Sequence, residues 1–568
     1  MGSAIPLRFS NITITIVLSF KNEYMNTRLS AFSFKKPVNT IEWKLLIFLL
    51  LFMDVKLAVK LAAIVMICIL QPDFRFRFSF NRSRLPLFYL LMPGIAVFNW
   101  AISQNFSSNY SLVALTGVLF WLASILAIQQ VKLFVEKTDV EILHNTLLVF
   151  FIINIAASLL NLSAIFWEIG FQNPFRYQGE YQKYFINTGD HIKGISFDSS
   201  TTNALINSFG IIYFLYRKKY LLTLACMVIL ILTASNFTNV ILLLVFFALF
   251  LFRSNKAQKS IMAVCVFMLV IFLTKFSPQN DNYFNETFKK YFFKKETTPL
   301  VAKKIITIRE RPDSLLDAEG RKEKTATLYL DSLERERLKT IASSQKGIQA
   351  SVVDLNDRPQ IPGDSIHTAT FQSNRDTTSF QRQLLSFVNA RADKPVISNK
   401  EVDALPGKLI AFKQSFNFLK EHPARVITGV GAGNFSSKLA FRATGLKMAG
   451  GYPQRFIYCN PDFANNHLSL YVAFFTRAAG SHSIINSPAS VYDQLFTEYG
   501  LLGLGAFMIC YVGFFLRDIK KLTFGIPLLA ITLAAFAVDY WFEQLSIIIL
   551  FELMMFVNIK EHMNNNSA

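Results

Sequence analysis

The stretch Ile41–Leu70, IEWKLLIFLLLFMDVKLAVKLAAIVMICIL, decides how the rest of the chain is arranged. It reads either as one long apolar helix or as a hairpin of two that turns near Asp54. A spanning helix needs about 20 mostly apolar residues, so length leaves both forms open. Charge separates them. Arg28, Lys35 and Lys36 stand before the stretch. After it, QPDFRFRFSFNRSR (Gln71–Arg84) carries Arg75, Arg77, Arg82 and Arg84 against a single Asp. Basic loops stay on the cytoplasmic side, so both flanks belong there and the chain is expected to cross twice.

The remaining loops follow from that choice. Arg217-Lys218-Lys219, then Arg253, Lys256 and Lys259, then Arg517, Lys520 and Lys521 fall on the cytoplasmic side, and the uncharged SQNFSSN (Ser103–Asn109) falls outside. Further candidate spans are 85–102, 109–129, 142–163, 199–216, 220–235, 238–252, 260–275, 490–516, 524–542 and 545–559. Segment 130–141 mixes both signs and does not bear on topology. The expected fold is an all-α polytopic membrane protein with about twelve transmembrane helices, nine of them within 41–275 and three within 490–568. Both termini are expected to be cytoplasmic, with one very large periplasmic loop. Residues 1–40 read as a cytoplasmic segment without a cleavable signal peptide, and Met25 opens a run typical of a natural start. Recovery of a peptide from residues 1–24 in the mature protein would refute that start.

Composition agrees with a membrane class. Hydrophobic residues make up 52% of the chain, Phe supplies 57 of 568 positions and charged residues only 17%; the mean hydropathy is +0.35. A net charge of +20 raises nucleic acid as a partner, but Lys and Arg in short loops between apolar segments are accounted for by topology. No nucleic-acid partner is expected. Of Cys68, Cys226, Cys265, Cys459 and Cys510, only Cys459 lies in a long polar region and no pair has metal-ligand spacing, so neither a zinc site nor a disulfide framework is expected.

Two outer loops stand out, at about 164–198 and 276–489. Within the second, 276–400 is a polar insertion whose part from 297 is rich in Lys, Glu, Asp, Ser and Thr, and 401–489 differs in character. GKLIAFKQSFNFLKEHP (Gly407–Pro423) places Leu409, Phe412, Phe416 and Leu419 on one stripe, the mark of an amphipathic helix expected to pack that stripe on the protein. RVITGVGAGNFSSKLAF (Arg425–Phe441) then resembles a dinucleotide fingerprint but fails it. The third of Gly429, Gly431 and Gly433 comes one place early, and no acid occurs between Glu421 and Asp462. What remains is a glycine turn in a basic stretch, a surface for an anionic partner.

The order of elements from here on resembles the bacterial O-antigen ligase/polymerase family. The helix leads to the TGVGAGNF turn, and NSPASVYDQLFTEYGLLGLGAF (Asn486–Phe507) follows with the pattern E-x-G-L-x-G-L at the start of a membrane helix. HIKGISFDSSTTNALI (His191–Ile206) and LILTASNFTNVILLL (Leu230–Leu244) are similar to the family's loop before its middle helices and to its paired central spans. The resemblance covers about 41–559 but excludes the insertion at 297–400. It implies an inner-membrane enzyme that takes a glycan from polyprenyl pyrophosphate at the periplasmic face. The acceptor is a hydroxyl of a second lipid-linked glycan (polymerase) or of lipid A core (ligase). It implies neither a metal nor a cofactor.

Such chemistry needs fixed cations and donors for the pyrophosphate leaving group and a base for the acceptor hydroxyl. Glu498 and His482 are the candidate catalytic groups. Lys193, Arg176, Lys408, Arg442, Arg477, Gln494, Asn434 and the three glycines are the candidate binding groups. The chain departs from the family in several places. Ala489 and Ser490 replace the family's His-Asn before the glutamate, Lys193 and Lys408 stand where arginine is usual, and Asn236 follows Ser235 where arginine often does. A structural reading stays open beside the catalytic one: Glu498 can anchor its helix, and the glycines can serve as a tight turn. Glu552, mid-span, needs a partner and has no role in this reading. A transporter or flippase is the rival of another class, although no internal repeat of the kind such proteins carry is visible.

Overall fold

In the computed structural model the chain is described over residues 40–276 and 406–565, apart from 77, 79–83, 104, 169–172, 177–191, 198, 447–450, 477–483 and 485. Met25 and the polar insertion lie outside the described residues. Among the described residues every regular element is helical.

The decisive stretch does break in two. Helices α1 (Trp43–Met53) and α2 (Leu57–Leu70) are joined by Asp54–Lys56 and pack on each other. Asp54 Oδ1 accepts the Lys56 N–H at 2.7 Å, which closes the turn, and the Val55 N–H donates to the Ser196 carbonyl at 3.0 Å. Both helices are shorter than a full span. Next come α3 (Phe88–Ser103), α4 (Ser108–Lys137), α5 (Val140–Glu168), α6 (Ser200–Tyr216), α7 (Tyr220–Leu232), α8 (Asn236–Phe252) and α9 (Lys256–Ile271). The loop unit holds α10 (Gly407–Glu421), α11 (Pro423–Thr428), α12 (Lys438–Ala443), α13 (Pro461–Asn466), α14 (Leu468–Thr476) and α15 (Val491–Glu498). Then follow α16 (Gly500–Leu516), α17 (Gly525–Ala535), α18 (Trp541–Gln544) and α19 (Ser546–Asn565).

Three segments, Ser108–Lys137, Val140–Trp167 and Lys256–Phe276, are long and apolar enough to cross a membrane, and seven shorter apolar helices accompany them. The protein is therefore a helical, membrane-embedded one. Helix α4 runs well past the expected end at 129 because its C-terminal carbonyls find a cap. Lys560 Nζ donates to the carbonyls of Val135 and Thr138, both at 2.7 Å. The expected span 524–542 stops instead at Ala535, whose carbonyl accepts the Trp541 indole N–H at 2.7 Å, and a turn and the short α18 follow. The expected span 490–516 is two helices, since Gly500 takes φ +65° between α15 and α16. The motif helix α15 thus belongs to the loop unit and the apolar helix begins after it.

The centre of the bundle is aromatic. The Phe88 ring lies 5.1–5.3 Å from those of Trp121, Tyr511 and Phe542, and so ties α3, α4, α16 and α18 together. Glu552, buried in α19, has a partner here: the Tyr89 hydroxyl donates to it.

Candidate functional site

The glycine turn is built to dock on the end of α15. Gly429, Gly431 and Gly433 all have positive φ (83°, 96° and 74°), a region where a Cβ collides with the following carbonyl. A Cβ on Gly429 would also lie 2.6 Å from the Tyr499 nitrogen and against the Glu498 carbonyl. This approach lets the Val430 N–H donate to the Thr497 carbonyl (2.9 Å) and the Gly431 N–H to the Glu498 carbonyl (3.0 Å). The Asn99 side-chain amide, from the end of α3, pins the turn by donating to the Thr428 carbonyl at 2.5 Å.

The turn closes on the side chain of Glu498. Its two carboxylate oxygens accept the N–H groups of Gly433 (2.9 Å) and Phe435 (3.0 Å), and the Ser437 hydroxyl adds a third bond. Burial pushes this carboxyl up to about 7, against the pull of those three donors. The N–H groups of Gly429, Val430, Gly431, Gly433 and Phe435 are therefore all spent on acceptors of the protein itself. The turn offers its backbone to Glu498, not outward to a phosphate. Asn434 is buried within it, donating to the Tyr110 hydroxyl (2.7 Å) and the Val430 carbonyl (2.9 Å).

A second carboxylate, Glu543 on α18, faces the same place. Gln494 Nε2 donates to Glu543 Oε1 at 2.6 Å, and the Leu439 N–H in the first turn of α12 also bonds this carboxylate. Burial and the charge of Glu498 raise Glu543 to about 8, while Lys438 and Arg442 pull it down. A narrow cavity between the two carboxylates is floored by Trp121 and Phe542 and walled by Gly433, Gln494 and Tyr499. The Trp121 indole N–H donates to the Tyr499 hydroxyl at 2.9 Å, which fixes the floor to the motif helix. Chemically this is a buried, proton-holding pair beside two cations.

Behind α15 lies a third carboxyl. Asp493 is buried and raised to about 7, chiefly by burial, with Ser415 and the Lys408 charge opposing. His467 Nε2 stands 3.9 Å from Asp493 Oδ2 while its Nδ1 bonds Gln414 Oε1 at 2.9 Å. Burial drops this imidazole to about 3, so it is neutral, and its ring stacks on Phe435 of the turn at 5.2 Å.

Of the residues singled out in sequence, Glu498, Gln494, Arg442, Asn434 and the glycines come together. Lys408 does not join them. Its amine donates to the Val538 carbonyl at 3.0 Å and to that of Ala489, tying α10 to the segment before α18, and burial brings it down to about 7. Lys193 precedes the helical turn Gly194–Ser196, which packs against α1, α5 and α6. Arg176 ends the turn Pro174–Arg176, while His482 and Arg477 lie outside the described residues. The stripe expected on α10 is reversed. Leu409, Phe412 and Phe416 are 56%, 48% and 53% exposed, and the buried face is Ile410, Ala411, Gln414, Ser415 and Phe418, joined by Leu419 alone of the expected four. Sequence reasoning missed Glu543, Asp493 and His467, while Lys438 is one of the outer-loop cations that the sequence offers for a pyrophosphate. Asp493 and Gln494 sit within the motif helix, but nothing local ties Glu543 or His467 to it. No protein-family model, curated protein or solved structure matches the chain.

Proposed function

We propose that the protein is an inner-membrane glycosyltransferase of the O-antigen ligase/polymerase type, using a polyprenyl-pyrophosphate-linked glycan as donor. About twelve spans, cytoplasmic termini and a periplasmic loop unit belong to this proposal. The observation that supports it most is the placement of Glu543 and Glu498 beside Lys438 and Arg442, where the motif helix meets the apolar helix α16. A donor with a lipid tail and a pyrophosphate would meet fixed cations and a proton acceptor at that depth.

In this reading Lys438 and Arg442 take the pyrophosphate, and Glu543, held by Gln494 and acting in the ionised form that those two cations favour, takes the proton of the acceptor hydroxyl. The hydroxyl oxygen bonds the anomeric carbon as the carbon–oxygen bond to pyrophosphate breaks, and polyprenyl pyrophosphate leaves with the electron pair. Glu498 is a positioning residue that holds the turn. The polymerase is preferred, with a second lipid-linked glycan as acceptor; the ligase, acting on lipid A core, differs only in the acceptor.

Deletion of the gene followed by sizing of the surface and lipid-linked glycans tests the reading. Collapse of the ladder to single repeats supports the polymerase. Long chains retained on polyprenyl pyrophosphate but absent from lipid A core support the ligase. Unchanged pools would overturn both.

A further inference from the structure

The loop unit carries an apolar face that the rest of the protein leaves uncovered. On α10, Leu409, Phe412 and Phe416 turn away from the body, while the inward face mixes Ile410, Ala411, Phe418 and Leu419 with the polar Gln414 and Ser415. This is the opposite of a water-exposed helix, whose outward face is polar. Lys413 and Lys420 are exposed and border the apolar stripe. The face is continuous with the membrane-embedded part of the molecule. Phe412 stacks on Phe496 of α15 at 6.0 Å, and beyond it Ile427 and Leu501, 57% and 49% exposed, sit where α11 meets the start of the apolar helix α16.

We infer that α10 lies flat in the membrane–water interface, with Leu409, Phe412 and Phe416 in the lipid and Lys413 and Lys420 at the level of anionic headgroups. An interfacial helix of this kind buries its apolar face about 5–10 Å into the headgroup–acyl boundary, and lysine stems reach from there to the phosphates. Because the inner face of the same helix carries Ser415 and Gln414 toward Asp493 and His467, the lipid surface sets the depth at which the loop unit stands above the bundle. The inference goes beyond the proposed reaction and does not depend on it.

The test uses the full chain in lipid nanodiscs containing phosphatidylglycerol. Single cysteines at 412, 416 and 421 in a background without the native cysteines carry an environment-sensitive fluorophore. Spin-labelled lipids with the label at the upper acyl level serve as quenchers. Blue-shifted emission lost on addition of the quencher at 412 and 416, with water-like, unquenched emission at Glu421→Cys, is the expected result. Water-like emission at all three sites would overturn the inference. So would blue-shifted emission that the labelled lipid leaves intact, because a second copy or another protein would then cover the face. The substitution pair Phe412→Ser and Phe416→Ser lies on the outer face and provides a second readout. In the full chain the loop unit of this variant gains protease sensitivity in liposomes but not in detergent if lipid is its support; equal sensitivity in both refutes it.

Discussion

Replacing Glu498 separates an anchoring carboxylate from a reacting one. Its two oxygens accept main-chain N–H groups of Gly433 and Phe435 at 2.9 and 3.0 Å. In Glu498→Gln one oxygen becomes an NH₂, which then faces a backbone N–H that cannot rotate away. One bond is lost and two donors are opposed, at a cost of about 1–3 kcal/mol. In Glu498→Ala both N–H groups are left buried and unpaired, about 2–6 kcal/mol. Glu543→Gln differs, because Gln494, the side chain that donates to Glu543 at 2.6 Å, can flip its own amide and present an oxygen. The assay is thermal unfolding in detergent at pH 8, above the Glu498 value of about 7, paired with the glycan ladder in cells. Glu498→Gln is expected to lower the melting midpoint and to reduce glycan in proportion to the folded protein remaining. Glu543→Gln is expected to melt near the wild type and to make no product. A Glu498→Gln protein as stable as the wild type but inactive would refute the anchoring argument and return the chemistry to Glu498.

Three further outcomes follow from the same geometry. Gly429→Ala must hold a Cβ at φ +83° and 2.6 Å from the Tyr499 nitrogen, so it should lose at least ~1–2 kcal/mol, whereas Gly505→Ala, with open space around it, should be neutral or mildly stabilising; thermal unfolding distinguishes them. Lys408→Met removes the donor shared by the Ala489 and Val538 carbonyls and should lower the melting midpoint, with Lys408→Arg restoring part of it; unchanged midpoints for Met would contradict the clamp. Asp493, Glu498 and Glu543 have folded values raised to about 7, 7 and 8, above the ordinary carboxyl range near 4. The folded state therefore holds protons that the unfolded chain has released, so stability is fullest below about pH 4 and declines as pH rises through 7–8. A melting midpoint that climbs between pH 5 and pH 8 would be inconsistent with these burials, and Asp493→Asn should flatten the slope.

The sequence by itself determined that the protein is helical and membrane-embedded, because apolar run length and loop charge are local quantities that every spanning helix must satisfy. It also marked the turn at Asp54 and the glycine turn, since positive φ and helix punctuation are written in single residues. Only the tertiary structure decided what these parts meet. Glu543 joins Glu498 and His467 joins Asp493 across gaps of chain that no local pattern bridges. The α10 stripe was misassigned for a related reason: periodicity finds an apolar face, but which solvent that face meets depends on its surroundings, and beside a bilayer the larger apolar side chains can turn outward. The glycine turn was legible as a turn, while its partner was not, because a carboxylate eight helical residues into another element became its anion only when the chain folded.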